Sequence, residues 1–288
     1  MSVPPRVRSR LIEETDLERV VDLLVRGFPT RGRTYWQRAL GRLGAHAGPR
    51  GLPKFGYLLE CGGAPVGVVL TICSSLPGDG RPAVRCNLSS WFVKPAFRTF
   101  APLLISSAIV HKNATFVNVS PAPHTEPIIE AQGFSRYSDG QFVTVAALAR
   151  PPTVPGIRLL DGCRVPDVAF EAAELELLRA HASYGCIALW CMTPERAAPF
   201  VFRPRMVNGV LPCTELIYCR DLGEFVRLAR PLGRFLLKRA RPFVIVDATG
   251  PIEGLAGFFF RGKRPKYFRG TRPRLGDLAY TEIPMFGL

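Results

Sequence analysis

Residues 86–134 read CNLSSWFVKPAFRTFAPLLISSAIVHKNATFVNVSPAPHTEPIIEAQGF, a strand, a basic turn, a helix, a second strand and a second helix. Trp91-Phe92-Val93 closes an apolar strand. Pro95 and Arg98 mark a turn, and Thr99 is the expected cap of the helix that follows. Phe116-Val117-Asn118-Val119 forms the next strand, and Gly133 ends the second helix.

Upstream, Val7–Ile12 reads as a strand, and Thr15 or Asp16 caps a helix. Its Leu17, Val20, Val21, Leu24 and Phe28 recur on one helical face. A helix over Thr34–Leu43 and strands over Phe55–Cys61 and Val66–Cys73 come next. Gly62-Gly63-Ala64-Pro65 supplies the hairpin turn between those strands. A loop at Pro77–Gly80 precedes the strand ending at Val93, and Gln141–Leu148 is a further strand.

This order resembles the acyl-CoA-binding core of the GCN5-related N-acetyltransferase (GNAT) superfamily over roughly residues 8–148. The resemblance implies three things. The first is a pyrophosphate cradle at a helix start, with Arg98, Thr99, Phe100 and Ala101 at its positions. Here Ala101 and Leu103 replace the family's glycines, and Pro102 removes an N–H. The second is a strand that splays from its neighbour to take the pantetheine arm, with Phe92 and Val93 facing Asn118. The third is proton handling. The family's usual tyrosine and asparagine positions hold Ile129 and Ala122, leaving His124 and Tyr137 as nearby candidates. The implied substrate is acetyl-CoA or another acyl-CoA, with no metal, and the implied acceptor is a small-molecule or aminoacyl amine.

Pro151, Pro152, Pro155 and Gly156 read as a linker at 151–156 between lobes at 1–150 and 157–288. In the second lobe, helices are expected over Asp167–Ala182 and from Asp221-x-x-Glu224 to Arg239. Strands are expected at Ile187–Met192, Ala198–Phe202, Cys213–Cys219 and Phe243–Val246. The two lobes align without a gap at an offset of 127: Cys86 on Cys213, Trp91 on Tyr218, Phe116 on Phe243, Val117 on Val244. The expected class is therefore α+β, in layers: two GNAT-like lobes, each a mixed, mostly antiparallel sheet flanked by helices. That plan resembles tandem bacterial acyl-CoA acyltransferases.

Composition sets the surroundings. The net charge is +15, and Arg220–Arg274 alone holds 14 Lys and Arg against 4 Asp and Glu. Arg227, Arg230, Arg234 and Lys238 form a ridge along one expected helix, an anion-binding candidate. The stretch Arg261–Arg269 interleaves cations and aromatics, a pattern suited to RNA or another polyanion. Asp277, Tyr280 and Glu282 are the acidic and phenolic candidates for handling an amine proton. Eight cysteines form no C-x-x-C pair and read as reduced core thiols. The first residues lack an apolar signal core, and no run reaches membrane-spanning length, so a cytoplasmic location is expected. The leading function is acyl-CoA-dependent N-acyl transfer by direct attack of the amine. Two alternatives stand beside it: a degenerate GNAT-like protein binding a polyanion, and an aminoacyl-tRNA-dependent transferase.

Overall fold

The computed structural model describes residues 6–76, 83–150, 156–162 and 171–287. Its contacts divide the chain into two units, Met1–Asn118 with Tyr280–Leu288, and Val119–Ala279.

The first unit carries five strands, β1 (Val7–Leu11), β2 (Gly56–Cys61), β3 (Ala64–Leu76), β4 (Ala83–Val93) and β5 (Thr115–Asn118), in that spatial order. The first four pair antiparallel, and β5 pairs parallel with β4. Gly62 and Gly63 take positive φ at the β2–β3 turn, where side chains would be strained. Helices α1 (Leu17–Gly27) and α3 (Ala101–Ala108) pack on this sheet, and α2 (Arg33–Ala45) packs against α1 and the Ile283–Gly287 segment. Their Val20, Leu24, Trp36, Leu40, Leu43, Leu104 and Ile105 are buried, as the helical spacing of apolar residues requires.

Arg10 fastens β1 to the start of α1. Its guanidinium reaches Asp16 Oδ2 at 2.5 Å, Asp16 Oδ1 at 2.7 Å and Glu60 Oε1 at 2.7 Å. Both carboxylates are buried, and the hydrogen bonds from Arg10 hold Asp16 at a pKa of about 2. A depressed carboxyl pKa stabilises the fold above the unfolded value and loses that effect as pH falls through the folded value. The parent is expected to lose about 1–2 kcal/mol from this group between pH 4 and pH 2. Arg10→Ala leaves buried Asp16 with only Arg19 at 3.9 Å and buried Glu60 with only Arg8 at 3.3 Å, and should cost about 2–3 kcal/mol at neutral pH. Urea denaturation of both proteins across that pH range checks this. A variant as stable as the parent at pH 7 would remove the network from the account.

The second unit has seven strands in the order β12 (Gly257–Arg269), β6 (Ser135–Thr144), β11 (Phe243–Ala248), β10 (Leu211–Cys219), β9 (Ala197–Val207), β8 (Ile187–Met192) and β7 (Arg158–Asp161). Only β10 and β11 run parallel; the other pairs are antiparallel. Its helices are α4 (Glu126–Ala131), α5 (Ala172–Ser183) and α6 (Leu222–Leu237). Asp221 caps α6 by accepting from the Glu224 N–H, as the D-x-x-E spacing predicts. The apolar face of α6, with Phe225, Leu228, Leu232 and Leu236, packs on Phe200, Phe202, Val244 and Val246. Gly233 lets α6 lie against the 146–148 turn, since a Cβ there would meet Ala147 Cα at 2.8 Å.

Two sequence expectations differ from the structure. The expected lobe boundary at 150/151 gives way to a division at 118/119, because β6 lies between β11 and β12 and is held by strands a hundred residues later in the chain. Residues 151–155 of the expected linker, the loop at 77–82, and the start of the helix expected from Asp167 lie outside the described residues. The cysteines are not all free. Cys73 and Cys86 stand directly opposite on β3 and β4 and form a disulfide, a proximity set by strand register that chain spacing does not reveal.

Two structural features repeat at the predicted offset. In the first unit Cys86 pairs with Phe116 and Asn87 with Val117. In the second, Cys213 pairs with Phe243 and Thr214 with Val244. An irregularity falls at Ser90–Trp91 of β4 and at Ile217 of β10, again 127 residues apart at Ser90 and Ile217. Ser90 takes φ 53°, the left-handed region uncommon for a residue other than glycine.

Candidate functional site: a strand fork in the first unit

The ladder between β4 and β5 ends at Asn87–Val117, although β4 continues to Val93. Residues 88–93 therefore diverge from β5. Among the described residues, no backbone hydrogen bond joins them to another segment on that side. Six strand residues cover about 20 Å, enough for an extended pantetheine arm. The Lys94 N–H donates to Val66 O, so by strand alternation Phe92 turns its backbone to β3 and Val93 turns its own to the open side. Of the two residues expected to flank the arm, Val93 thus offers the free backbone. Phe92 packs its side chain against Gly27 of α1. Asn118 ends β5, one residue past the last pair.

Arg85, Asn87 and Ser89 alternate along β4 and share one face, and all three are buried. At the fork, Asn87 Nδ2 donates to Glu282, which is itself fully buried. Asn87 Oδ1 is buried with no partner. An unsatisfied buried carbonyl is costly, and it offers a place for a ligand N–H. Trp91 Nε1, a donor, is likewise buried without a partner.

The segment bearing Glu282 is anchored locally. Ile283, Met285 and Phe286 are buried, and Arg42 of α2 donates to Met285 O at 2.8 Å. Tyr280 lies with its ring centroid 5.0 Å from that of His46. His46 Nε2 sits 2.9 Å from Ser74 Oγ and 3.1 Å from Cys73 O. A cavity of about 410 Å³ opens beside His46, bordered by Gly48, Leu52, Lys54 and Cys73. Asn87 and His46 were not among the sequence candidates. The available signal was the polar alternation Arg85-x-Asn87-x-Ser89 within an otherwise apolar strand.

The expected pyrophosphate cradle falls in a tight turn. A 3-10 turn over Pro95–Phe100 runs straight into α3, so Thr99 lies inside the turn and caps nothing. Pro95 and Pro102 have no N–H, the Phe97 N–H is bonded to Lys94 O, and the Ala101 N–H is bonded to Arg98 O. Arg98, Thr99 and Phe100 are exposed. Arg98 remains as an exposed charge in the turn, while the prolines and bonded N–H groups leave fewer donors for a pyrophosphate.

In the second unit the corresponding edge is closed. The β10–β11 ladder ends at Glu215–Ile245. Beyond it, the Cys219 N–H donates to Gly276 O at 2.9 Å, and the Leu278 N–H donates to Ile217 O at 2.7 Å. Gly276, at φ 78°, is required for this approach; a Cβ would lie 2.6 Å from Cys219 Sγ. The chain's own segment thus fills the place that stays open beside β4.

The remaining sequence candidates disperse. Asp277 belongs to this closing segment and accepts from the Ala279 N–H, whereas Tyr280 and Glu282 belong to the first unit. His124 is exposed in a 3-10 turn before α4. Tyr137 is buried in β6, edge-on to Phe268. On α6, Arg230 and Arg234 are exposed, with Lys238 just past its end. Arg227 is half-buried and lies 3.9 Å from both Glu195 and Glu224. The basic-aromatic stretch is partly internal. Lys266 is buried and ion-paired with Asp247 at 2.8 Å. Tyr267 is buried with its hydroxyl 2.8 Å from Glu126, 3.1 Å from Glu130 and 2.7 Å from Arg136 Nε. These two side chains are therefore withheld from nucleic-acid contact.

No helix among the described residues is long and apolar enough to cross a membrane, and no cluster of His, Cys, Asp and Glu among them could hold a metal. The sequence matches no protein-family model and no curated protein. Solved structures do match. A GCN5-related N-acetyltransferase from Anabaena variabilis aligns with a TM-score of 0.60 at 10% identity, covering 92% of this chain and 72% of that one. One from Kribbella flavida gives 0.55 at 14%, with coverages of 92% and 71%. A conserved protein of unknown function from Enterococcus faecalis gives 0.57 at 12%, with 95% and 73%. Identities this low carry the fold and leave the chemistry to the site itself.

Proposed function

Because the chain has the GCN5-related N-acetyltransferase fold, we propose that its first unit transfers an acyl group from a pantetheine thioester, the class that includes acyl-CoA, to an amine. The observation that carries this reading is the Asn87–Glu282 pair at the fork, with Asn87 Oδ1 left unpartnered. The thioester arm lies along residues 88–93, and its carbonyl arrives beside Asn87. Asn87 Oδ1 accepts an N–H of the incoming amine and orients it, and Glu282 takes the amine proton. The amine nitrogen forms the new C–N bond, the C–S bond breaks, and the leaving thiolate takes the proton held by Glu282 and departs along the fork as the thiol. Unpaired backbone groups of the open edge stabilise the charge that develops on the carbonyl oxygen. The second unit, whose matching edge is filled by Gly276–Leu278, acts as scaffold.

The test is amine-dependent thiol release from acetyl-CoA and from S-acetyl-pantetheine across a panel of small amines and amino acids, with the amide identified by mass spectrometry. Amide formed with at least one amine is the expected result. Thiol release without amide, together with no binding of the thioether analogue S-acetonyl-pantetheine, would end the proposal.

A further inference from the structure

The fork and the cradle have diverged in opposite directions, and that divergence bears on what carries the thioester. The arm's path along residues 88–93 is open. The donors that would clasp the adenosine end of CoA are missing or bonded within the turn. A pyrophosphate and a ribose phosphate bring several negative charges that need several donors; one phosphodiester needs few. Arg98, exposed, and the half-buried Lys94 supply two cations in the turn directly after β4.

The surface of that turn and of α3, which packs on β1, β2 and β3, has its own character. Lys94–Asn113 contains Lys94, Arg98 and Lys112 and no Asp or Glu. Phe100, Leu103 and Val110 are exposed at 40%, 42% and 59%, spaced so that they follow one side of α3 and the turn after it. Exposed large apolar side chains in a stretch whose only charged residues are basic suit the docking of an acidic protein.

We infer that the donor is an acyl group on the phosphopantetheine of an acidic carrier protein, which docks on α3 through Phe100, Leu103, Val110, Arg98 and Lys112. This rests on the acyl-transfer reading above. In this arrangement the carrier's acidic face meets the cations, its single phosphodiester sits by Lys94 and Arg98, and its pantetheine enters the fork. The carrier surface replaces the lost clasp as the source of affinity. The step itself is unchanged: the acyl group passes to the amine and the carrier leaves as the free thiol.

Calorimetric titration of the full chain decides this, with four probes: S-acetonyl-CoA, S-acetonyl-pantetheine, and a bacterial acyl carrier protein in holo and apo forms. The holo carrier is expected to bind at least tenfold more tightly than the apo form. The two small probes should bind within threefold of each other, because the adenosine end adds nothing. Lys112→Glu and Leu103→Glu should each weaken holo-carrier binding at least tenfold and leave S-acetonyl-pantetheine unchanged, which also shows that the variants are folded. S-acetonyl-CoA binding more than tenfold tighter than S-acetonyl-pantetheine would overturn the carrier and leave acyl transfer standing. Equal binding of holo and apo forms, or indifference to both substitutions, would also overturn it. Failure of every pantetheine probe to bind would sink the carrier and the acyl-transfer reading together.

Discussion

Glu282→Gln is expected to lower the acyl-transfer rate by about 10²–10⁴-fold, the range for loss of a positioned general base. Glutamine has the shape of glutamate and keeps an amide oxygen for Asn87 Nδ2, so the buried segment should stay in place. What it cannot do is take the amine proton. The loss should therefore fall on kcat, with the KM for the thioester little changed, since the arm binds along residues 88–93 and not at Glu282. Circular dichroism and thermal melting of Glu282→Gln guard against a trivial loss of structure. Parent-like turnover by a folded Glu282→Gln protein would remove Glu282 from the mechanism.

Lys266→Met is expected to destabilise the second unit by about 3–5 kcal/mol at neutral pH, the cost of stranding a buried charge. Asp247 is almost wholly buried, and its Oδ1 receives Lys266 Nζ at 2.8 Å. Burial pushes the Asp247 carboxyl above its ordinary range, and the Lys266 ammonium opposes that push. Without the lysine the folded state holds the carboxyl proton to higher pH than the unfolded chain does. Stability of the variant should then fall as pH rises from about 4, the unfolded carboxyl value, through the raised folded value. The parent, with its ion pair intact, should show a smaller slope. The double variant Lys266→Met with Asp247→Asn removes the charge and should recover part of the loss. Urea melts of all three proteins at several pH values test the sign as well as the size. A Lys266→Met protein that grows more stable as pH rises would contradict the assignment.

Many elements of both units were legible because their signals are local. The spacing of Leu17, Val20, Val21 and Leu24, the glycine pair at the hairpin and the Asp221 cap each act within a few residues, and the elements form where those residues stand. The matching register of the two parallel ladders was legible for a related reason. An offset of 127 in sequence became the same register in two parallel ladders, because equal element lengths force equal pairing. The strand–turn–helix order around Val93 and Pro95 likewise pointed to the fork.

The candidate site was less legible, because its parts lie far apart in the chain. Glu282 stood out in sequence as an acidic residue in a basic region, but its partner Asn87 lies 195 residues earlier, and only the return of Tyr280–Leu288 to the first unit joins them. The same holds for the Cys73–Cys86 bond, the burial of Lys266 beside Asp247, and the filling of the second fork by Gly276–Leu278. The sequence by itself determined the elements, their order and their repetition, since hydrophobic period, turn residues and caps are properties of neighbours. Tertiary structure alone decided which fork stays open, which charges are buried and which carboxylate meets the open edge. Burial and strand register are set by pairing across long stretches of chain, and that pairing leaves no local mark.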